Sequence, residues 1–499
     1  MNIKIPGIIV LVLLLTASCV KNNNNKSEEV NKIKLTFNKE QTFKIVQFTD
    51  IHYKSTSARK QENIDIMNHV IKSENPDFVV LTGDIVIDPV EQGWKEITKP
   101  LIDAKVPWTV TFGNHDGETK IKKDVIFSWL KEMPFFIGEK GTVTGVNNSA
   151  IPIYSNDGTK VGFVLYLFDS NEYQSTPKYS KYDWIKFDQI AWYRQTSDSL
   201  KAANNNQPIP ALAFFHIPIP EFSLINEQNK EKTRFTGQQF ESVKPSRVNS
   251  GIFASFIEKN DVVGVFAGHD HENSYIGQLG DICLSYGQVS GVEAVDTSIT
   301  RGARVIQIYE NKFALESWVR TPDMNEKQYH FFYPAYLSDK GKPPHPAVDA
   351  ANLLPGLRYK YYEGEMGSCA DISKLKIKKE GIVKGISIDM AGADDHFGFE
   401  FDGFINIPET DIYNFYTSSD DGSMLLIDGE LVVNNDGSHS KQMEEGSIAL
   451  EKGYHKFSLL YFDDYMGNSI EIGFSTLNQR EMQNQDQLFY YQELTLDSK

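Results

Sequence analysis

The chain has 499 residues, 40% of them hydrophobic, which is enough apolar material for two globular units. Its 50 basic and 67 acidic residues give a net charge of −17. Nucleic acids and anionic membranes are bound through basic surfaces, so this balance argues against a general binder of either, and no nucleic-acid partner is expected. With only 3 cysteines, disulfide bonds are not what stabilises the protein.

The N-terminus carries a short apolar run, residues 8–15, after Lys4 and before the small residues that precede Cys19. The run is too short to span a bilayer permanently and is typical of a secretory signal. Residues 1–19 are therefore predicted to be a lipoprotein-type signal peptide, and a lipid on Cys19 would anchor the protein to a membrane. An ordinary secretory signal is the alternative. We expect export across the inner membrane and attachment to the bacterial outer membrane or cell surface.

Residues 20–38 form the next predicted segment. They include a run of Asn at positions 22–25 and the acidic pair Glu28-Glu29, and have little to bury. Such a composition is typical of a flexible tether.

Within residues 39–320, five short polar segments each follow an apolar run. They are Asp50-Ile51-His52, Gly83-Asp84, Gly113-Asn114-His115-Asp116, His216 and Gly268-His269-Asp270-His271. The preceding runs, such as 44–48 and 78–81, are typical of buried strands. A helical pattern of apolar residues, Ile64, Met67 and Ile71, lies between two of them. Alternating strands and helices predict a parallel or mixed sheet covered by helices, with the strand ends opening on a crevice.

The residue types at these strand ends suit the hydrolysis of phosphate esters. The transition state gathers negative charge on the phosphoryl oxygens while water attacks in line with the leaving oxygen. Two cations about 3.5 to 4 Å apart can clamp the phosphate and lower the pKa of a bridging water. Such a pair requires mixed oxygen and imidazole ligands, including a carboxylate that spans both ions. The five segments offer that mixture.

In this order, the segments resemble the calcineurin-like metallophosphoesterase superfamily, over residues 40–310. The phrases at 215–221, 248–251 and 302–305 resemble its purple-acid-phosphatase-like branch more narrowly. The resemblance implies an α/β fold, a four-layer αββα sandwich, that hydrolyses a phosphomonoester or a phosphodiester. It also implies two divalent or trivalent metal ions, Mn, Fe or Zn, as cofactors.

The same resemblance implies a role for each residue of the motifs. Seven would be metal ligands: Asp50, His52 and His271 for one ion, Asn114, His216 and His269 for the other, with Asp84 bridging both. His115 would instead be the catalytic residue, protonating the leaving oxygen or stabilising phosphoryl charge.

One departure from the purple enzymes concerns their colour. They carry a Tyr three residues after the bridging Asp, and its phenolate on ferric iron absorbs visible light; here that position is Ile87. They also lack the His of the first motif, whereas His52 is present. We therefore expect no purple charge-transfer band.

Simpler interpretations exist for single residues. A lone His216 is more often a satisfied core residue than a ligand, and only the ordered set favours metal binding. Asp88, Asp116 and Glu118 either orient ligand imidazoles or are solvated loop carboxylates.

The chain changes character after residue 320. Residues 321–352 contain five prolines and are predicted to be an extended connector. Period-two patterns separated by Asp-Gly turns then indicate an antiparallel β-sandwich over residues 353–495. Phrases at 404–408, 418–423 and 427–429 resemble the all-β sandwich module first named from anthrax protective antigen.

Some members of that module family bind sugars through calcium held by a paired Asp, which Asp420 and Asp421 match. Carboxylate oxygens suit calcium, so the resemblance implies a calcium-linked glycan as a further partner. The alternative is an ordinary turn with Asx hydrogen bonds.

Two functions follow. The first is a secreted phosphoesterase acting on a phosphate-ester substrate and targeted to glycans by its C-terminal module. The second is a surface glycan-binding or adhesive lipoprotein with a vestigial metallo-domain. The complete ligand set favours the first.

Overall fold

The computed structural model describes residues 33–175, 178–294, 299–478 and 488–493. The predicted signal peptide, Cys19 and most of the predicted tether lie outside the described residues. Residues from Lys34 onward form one unit. Within the described ranges, no helix combines the length and apolar character needed to cross a bilayer.

Helices and strands alternate through the first part of this unit, and strands dominate the second. The α-helices are α1 Lys60–Glu74, α2 Val90–Ile97, α3 Lys99–Asp103, α4 Lys123–Lys131, α5 Phe187–Ala203, α6 Lys230–Thr233 and α7 Ile252–Lys259. The strands of the first part are β1 Leu35–Thr36, β2 Thr42–Phe48, β3 Tyr53–Lys54, β4 Phe78–Thr82, β5 Val86–Asp88, β6 Trp108–Thr111, β7 Ser149–Tyr154, β8 Val161–Leu167, β9 Ala211–Phe214, β10 Thr236–Gln239, β11 Val262–Ala267, β12 Asn273–Leu279, β13 Ile282–Tyr286, β14 Ala303–Tyr309, β15 Leu315–Arg320 and β16 Gln328–Tyr333. Those of the second are β17 Leu353–Pro355, β18 Leu357–Glu363, β19 Ile377–Val383, β20 Phe397–Ile407, β21 Asp411–Asp420, β22 Ser423–Ile427, β23 Glu430–Asn435, β24 Gln442–Leu450, β25 Gly453–Asp463, β26 Ser469–Thr476 and β27 Phe489–Gln492.

A six-stranded mixed sheet has the order β16-β15-β14-β2-β4-β6. Its strands β2, β4 and β6 pair in parallel, and β14 to β16 continue it in antiparallel fashion. Side chains of β2 alternate between the two faces, as the strand period requires. Val46 packs in one core with Met67 of α1 and Trp94 of α2, whereas Ile45 packs in another with residues of the second sheet.

The second sheet has eight strands in the order β1-β7-β8-β9-β11-β13-β12-β10. Leu212 and Phe214 of β9 pack in the core shared with the first sheet. The opposite face packs against Tyr193 of α5 and Phe256 of α7. The layers therefore run helix, sheet, sheet, helix, and the predicted αββα sandwich is confirmed.

Two segments differ from the sequence-based expectation. Gln328–Tyr333, within the predicted connector, is an edge strand paired with β15. The prolines that suggested a connector flank this strand, while Phe331 and Tyr333 alternate into the core between the sheets. Likewise, the end of the predicted tether forms β1, which pairs with β7 and buries Leu35 and Phe37. Two buried side chains are too short a pattern to read as a strand from sequence.

The second part is a separate all-β domain, as predicted. One sheet contains β17, β27, β20, β25, β22 and β23, extended by β18 and β19, and a second has the order β24-β21-β26. Its core is rich in aromatic residues, including Phe397, Phe399 and Phe401 of β20. The domain meets the αββα sandwich through a small cluster in which Leu477 packs with Tyr309 and Leu337.

Candidate metal centre

The polar segments that follow five strands converge on one rim of the αββα sandwich. Asp50, Asp84 and Asn114 follow β2, β4 and β6 of the six-stranded sheet, while His216 and the pair His269 and His271 follow β9 and β11 of the other. The last four residues of β2 and all residues of the other four strands are buried, and the chain leaves the sheet at the ligand segments. The two sheets thus each contribute donors to the same crevice.

The first donor group is Asp50, His52 and His271, whose ligand atoms all lie within 4.8 Å of one another. His271 Nε2 lies 3.2 Å from Asp50 Oδ1 and 3.2 Å from His52 Nε2. Two imidazole lone pairs at this distance repel unless a proton or a cation lies between them. The group therefore fits a cation.

The second donor group is Asp84, His216 and His269, again within 4.8 Å. His216 Nδ1 donates to the Thr82 carbonyl at 2.8 Å, which directs Nε2 toward Asp84 Oδ2, 3.1 Å away. His269 Nε2 and Asn114 Oδ1 are buried with no hydrogen-bond partner among the described residues. Buried polar atoms are normally satisfied, so this donor set also fits a cation.

Asp84 lies between the two groups. Its Oδ2 is 3.1 Å from His216 Nε2 and 3.9 Å from His52 Nε2. The carboxylate is 1% exposed, so neither contact is shared with solvent. The structure thus brings six of the seven predicted ligand residues into two groups that meet at Asp84. The seventh, Asn114, lies in the adjoining loop, where the next backbone N–H, that of His115, donates to Asp84 Oδ1 at 2.8 Å.

Burial and charge set the protonation of these groups. Burial lowers the pKa of His52 to about 4 and that of His269 to about 3, so both stay neutral, the form that binds a metal. Burial acts to raise the pKa of Asp84, but the charge and hydrogen bond of His216 outweigh it and hold that pKa well below its usual range. In turn Asp84 overcomes burial and raises the pKa of His216 to about 10. A cation would displace this shared proton.

The backbone is strained where the ligands leave the sheets. Asp50, His52, Asp84 and His269 have positive φ of 52°, 49°, 54° and 79°. Such conformations cost non-glycine residues about 1–3 kcal/mol each and persist only where surrounding contacts enforce them. One such contact is the backbone N–H of His269, which donates to the Asp50 carboxylate at 3.0 Å. Sequence patterns do not reveal this strain.

Asp116 holds the loops rather than a ligand imidazole. Its carboxylate accepts from the backbone N–H groups of Asp84 at 2.9 Å, Gly113 at 2.8 Å and Ile85 at 3.1 Å. Burial and the neighbouring Asp84 raise the pKa of Asp116 to about 6. One side chain thus ties the loop after β4 to the loop after β6.

His115 lies at the exposed edge of the centre. Its Nε2 is 4.0 Å from Asp84 Oδ2, and its side chain is 37% exposed. Its Nδ1 donates to the Glu118 carboxylate at 2.7 Å, which leaves Nε2 directed at the crevice. The sequence left open whether Asp88, Asp116 and Glu118 orient ligand imidazoles. Asp88 is exposed to solvent, and Glu118 orients His115 rather than a ligand imidazole.

Two residues beside the centre were not predicted. The Tyr173 hydroxyl accepts from Asn114 Nδ2 at 2.9 Å. Asp270 accepts from the Tyr286 hydroxyl at 2.6 Å. Asp270 lies inside a recognised motif, so the sequence carried a signal for it. Tyr173 lies in a segment without periodicity or motif and carried none.

In the C-terminal domain, Asp421 is 4% exposed and its carboxylate accepts two backbone N–H groups, from His439 and Asp464, each at 2.8 Å. These are the bonds that a turn-forming Asp makes. However, Asp463, which sequence reasoning missed, is 0% exposed, and its oxygens have no partner of normal hydrogen-bond geometry in the described ranges. Burial, together with Asp421 and Asp395, raises the pKa of Asp463 to about 7. Turn chemistry does not account for this buried carboxyl.

Comparison with known proteins agrees with the fold. A family model described as "Calcineurin-like phosphoesterase" matches residues 43–273, and one described as "PA14 domain" matches residues 353–487. The chain is 32% identical over 320 residues to "Probable inactive purple acid phosphatase 29" of Arabidopsis thaliana, covering 57% of this chain and 81% of that relative. It is 28% identical over 363 residues to "Probable inactive purple acid phosphatase 14" of the same plant, covering 63% and 90%.

A yeast relative bears a different name. "Phosphatase DCR2" of Saccharomyces cerevisiae is 29% identical over 316 residues, covering 56% of this chain and 53% of the relative. The plant relatives are covered over most of their length, at up to 32% identity. The chain therefore belongs to the calcineurin-like phosphoesterase family, has purple-acid-phosphatase-like relatives, and carries a C-terminal PA14 domain.

Proposed function

We propose that the protein is an active metal-dependent hydrolase of phosphate esters. The observation that supports this is the pair of donor groups on one rim, joined by the buried Asp84. Their donors are carboxylate oxygens, an amide oxygen and imidazole nitrogens, a set that suits Mn, Fe or Zn. Phosphomonoesters are the proposed substrates, with phosphodiesters as a second class.

Cations held there would polarise the phosphoryl oxygens and lower the pKa of an attacking water. The chain's own residues position that chemistry. Asp84 holds the two donor groups together, and its Oδ1 is fixed by the His115 backbone N–H at 2.8 Å. The imidazole of His115, with Nδ1 committed to Glu118, presents Nε2 to the leaving oxygen and donates its proton there.

The test is hydrolysis of a nitrophenyl phosphate and a bis-nitrophenyl phosphate by protein loaded with Mn, Fe or Zn. Asp84→Asn and His269→Ala should each lower kcat/KM by more than about 100-fold, because each changes a proposed metal ligand, whereas losing a residue that only hydrogen-bonds to a ligand costs about 10- to 100-fold. His69→Ala is the matched control, since His69 lies on α1 and contacts Ser73. Full activity in either ligand variant would refute the proposal.

The same assay separates this function from a vestigial metallo-domain. A vestigial centre predicts wild-type protein that binds metal weakly and cleaves neither ester. The plant relatives are named as probably inactive, which makes that measurement necessary, while the two donor groups that meet at Asp84 favour activity. Metal analysis of the purified protein would identify the ions.

We also propose that the PA14 domain binds a glycan through calcium at Asp420 and Asp421. The supporting observation is the buried Asp463 beside them, a carboxyl that a divalent cation would satisfy. Calcium titration should therefore show one site that Asp421→Asn abolishes and that the exposed control Asp389→Asn leaves intact. A glycan array run with calcium and with chelator would reveal the sugar; binding that ignores calcium would contradict the proposal.

Finally, we propose that the protein is lipid-anchored at the bacterial outer membrane or cell surface through Cys19. The support is the apolar run at 8–15 followed by small residues and that cysteine. Cys19→Ala should move the protein from the membrane fraction to the soluble fraction. An unchanged distribution would indicate another means of attachment.

A further inference from the structure

We propose that Lys181 binds a second negatively charged group of the substrate, so that the protein prefers phosphate esters whose leaving group is itself an anion. The ammonium group of Lys181 lies over the rings of Tyr173 and Tyr182, and both tyrosines contact proposed metal ligands. The inference rests on the proposed function, because it names the class of ester that the site would hydrolyse. Lys181 is a specificity-determining residue in this scheme and takes no part in the chemistry.

Tyr173 and Tyr182 form one side of the crevice, next to the second donor group. An isolated antiparallel bridge pairs the two residues, and their rings stack with centroids 5.6 Å apart. The Tyr182 ring meets the His269 imidazole edge to face at 4.5 Å. The Tyr173 hydroxyl accepts from Asn114 Nδ2 at 2.9 Å. Both rings are therefore fixed beside the metal centre.

Lys181 is placed over this pair of rings. Its Nζ lies 4.8 Å from the centroid of the Tyr182 ring and 5.6 Å from that of the Tyr173 ring, and it donates to the Tyr182 hydroxyl at 3.2 Å. An ammonium group within about 6 Å of an aromatic centroid is attracted by the face of the ring. The rings thus hold the cation in place, but unlike a carboxylate they do not neutralise its charge.

The charge of Lys181 has no counterion within the described part of the chain. The side chain is exposed, and no described carboxylate lies within 4.0 Å of its Nζ. By contrast, Lys123 forms an ion pair with Glu172 at 3.0 Å, and Lys186 forms one with Asp183. In a chain with 67 acidic and 50 basic residues, a positioned ammonium group that meets no carboxylate is available to an anion from outside.

The position of Lys181 suits the leaving group rather than the phosphoryl group. Asp84, which joins the two donor groups, is buried, whereas Lys181 is exposed at the rim. His115, the proposed acid, immediately follows Asn114, so the leaving oxygen lies on the side of the centre where Tyr173 contacts that amide. The rest of a leaving group extends from there toward the rim, where the ammonium group can donate to a negatively charged oxygen.

The test compares two pairs of ligands on the Mn²⁺-loaded, full-length protein. Phenyl phosphate and 4-carboxyphenyl phosphate are compared by steady-state hydrolysis. Benzylphosphonate and 4-carboxybenzylphosphonate, which the protein cannot hydrolyse, are compared by calorimetry. In each pair the carboxylate should improve kcat/KM or affinity, and Lys181→Met should remove about 10-fold of that advantage, close to the lower limit for a hydrogen bond to a charged group. Comparing variants cancels the intrinsic difference between the two leaving groups.

Two further variants separate charge from other effects. Lys181→Arg keeps the charge and can stack on the same rings, so it should retain most of the preference. Lys34→Met is the matched control, because Lys34 Nζ also lies over a tyrosine ring, 4.3 Å from the centroid of Tyr154. Tyr154 pairs with Val161 at the start of β8, the opposite end of the sheet from the ligand segments. This control should show the wild-type preference, and thermal denaturation checks that each variant is folded.

An equal carboxylate preference in wild type and Lys181→Met would overturn the inference. So would a wild-type protein without any preference, or a Lys181→Arg variant that loses it as completely as Lys181→Met. An equal loss on the uncharged ligands would assign Lys181 to the phosphoryl group and would also overturn it. Failure of the proposed function looks different: the wild-type protein would then bind 4-carboxybenzylphosphonate with a preference that depends on Lys181 yet cleave neither ester, and the inference would stand.

Discussion

A single methyl group at Gly113 tests whether the geometry around Asp84 governs activity. A Cβ built on Gly113 would lie 2.2 Å from Asp84 Oδ1 and 2.7 Å from the Asp84 backbone nitrogen, whereas ordinary contacts begin at 3.4 Å. Gly113→Ala therefore requires Asp84 to move by about 1 Å relative to its loop. The carboxylate cannot yield as a flexible tip would, because the His115 backbone N–H holds Oδ1 at 2.8 Å.

A displacement of this size in a positioned reacting group costs about 100-fold in rate. Gly113→Ala should therefore lower kcat/KM for an aryl phosphate by about that factor and weaken metal binding. The accompanying strain should cost about 1–3 kcal/mol of stability, typical of overpacking. The assays are steady-state hydrolysis at saturating Mn²⁺, Mn²⁺ calorimetry and thermal denaturation.

Gly367→Ala is the matched control, since a Cβ there would meet nothing within 4 Å. It should leave all three measurements unchanged. A Gly113→Ala protein that binds both ions and keeps kcat/KM within about threefold of wild type would refute the dependence of activity on the position of Asp84.

Three further perturbations follow from the structure. Asp116→Asn replaces an acceptor of three backbone N–H groups by a side chain with a donor end, and should cost about 1–3 kcal/mol and lower activity, measured by denaturation and hydrolysis. In calcium-free buffer, the PA14 domain should lose stability as pH rises from about 4 to about 7, because folded Asp463 keeps its proton to about pH 7 whereas the unfolded residue loses it near 3.8. Calcium should stabilise the domain most at the upper end of this pH range. Thermal melts that show no dependence on pH would contradict this prediction. Deleting residues 353–499 exposes the cluster around Leu337 that packs on Leu477, so the αββα domain should melt at a lower temperature. If the PA14 domain targets the enzyme to a glycan, the same deletion should lower turnover on a polymeric substrate more than turnover on a small ester.

The convergence of the polar segments could be predicted from the residues because each segment follows a buried strand, whereas the metal-ligand roles came from the resemblance to the family. His216 illustrates this: it comes just after Ala211–Phe214, a run apolar enough to be assigned to a sheet interior without any other information. The order of β2, β4 and β6 in a parallel sheet then brings their ends together. Local pattern and sheet geometry thus predict the shared crevice, but they do not assign a metal to each residue.

Residues joined to the site through long-range contacts escaped this reasoning. Tyr173 meets Asn114 across 59 positions, and nothing in its own neighbourhood marks it. Asp463 ends β25 and reaches Asp421 only because the PA14 domain is folded. The edge strand β16 was hidden for a different reason, since flanking prolines outweighed a short alternating pattern.

The donor groups also have a mechanical consequence, because they belong to different sheets. Ions bound to Asp50, Asp84 and Asn114 of one sheet and to His216, His269 and His271 of the other would cross-link the two sheets at the edge of the sandwich. A ligand present at 100 times its dissociation constant adds about 2.7 kcal/mol to the folded state. The metal concentration would therefore determine how often the two sheets separate. The metal-free protein should show faster hydrogen exchange of its buried backbone amides and faster proteolysis than the metal-bound protein.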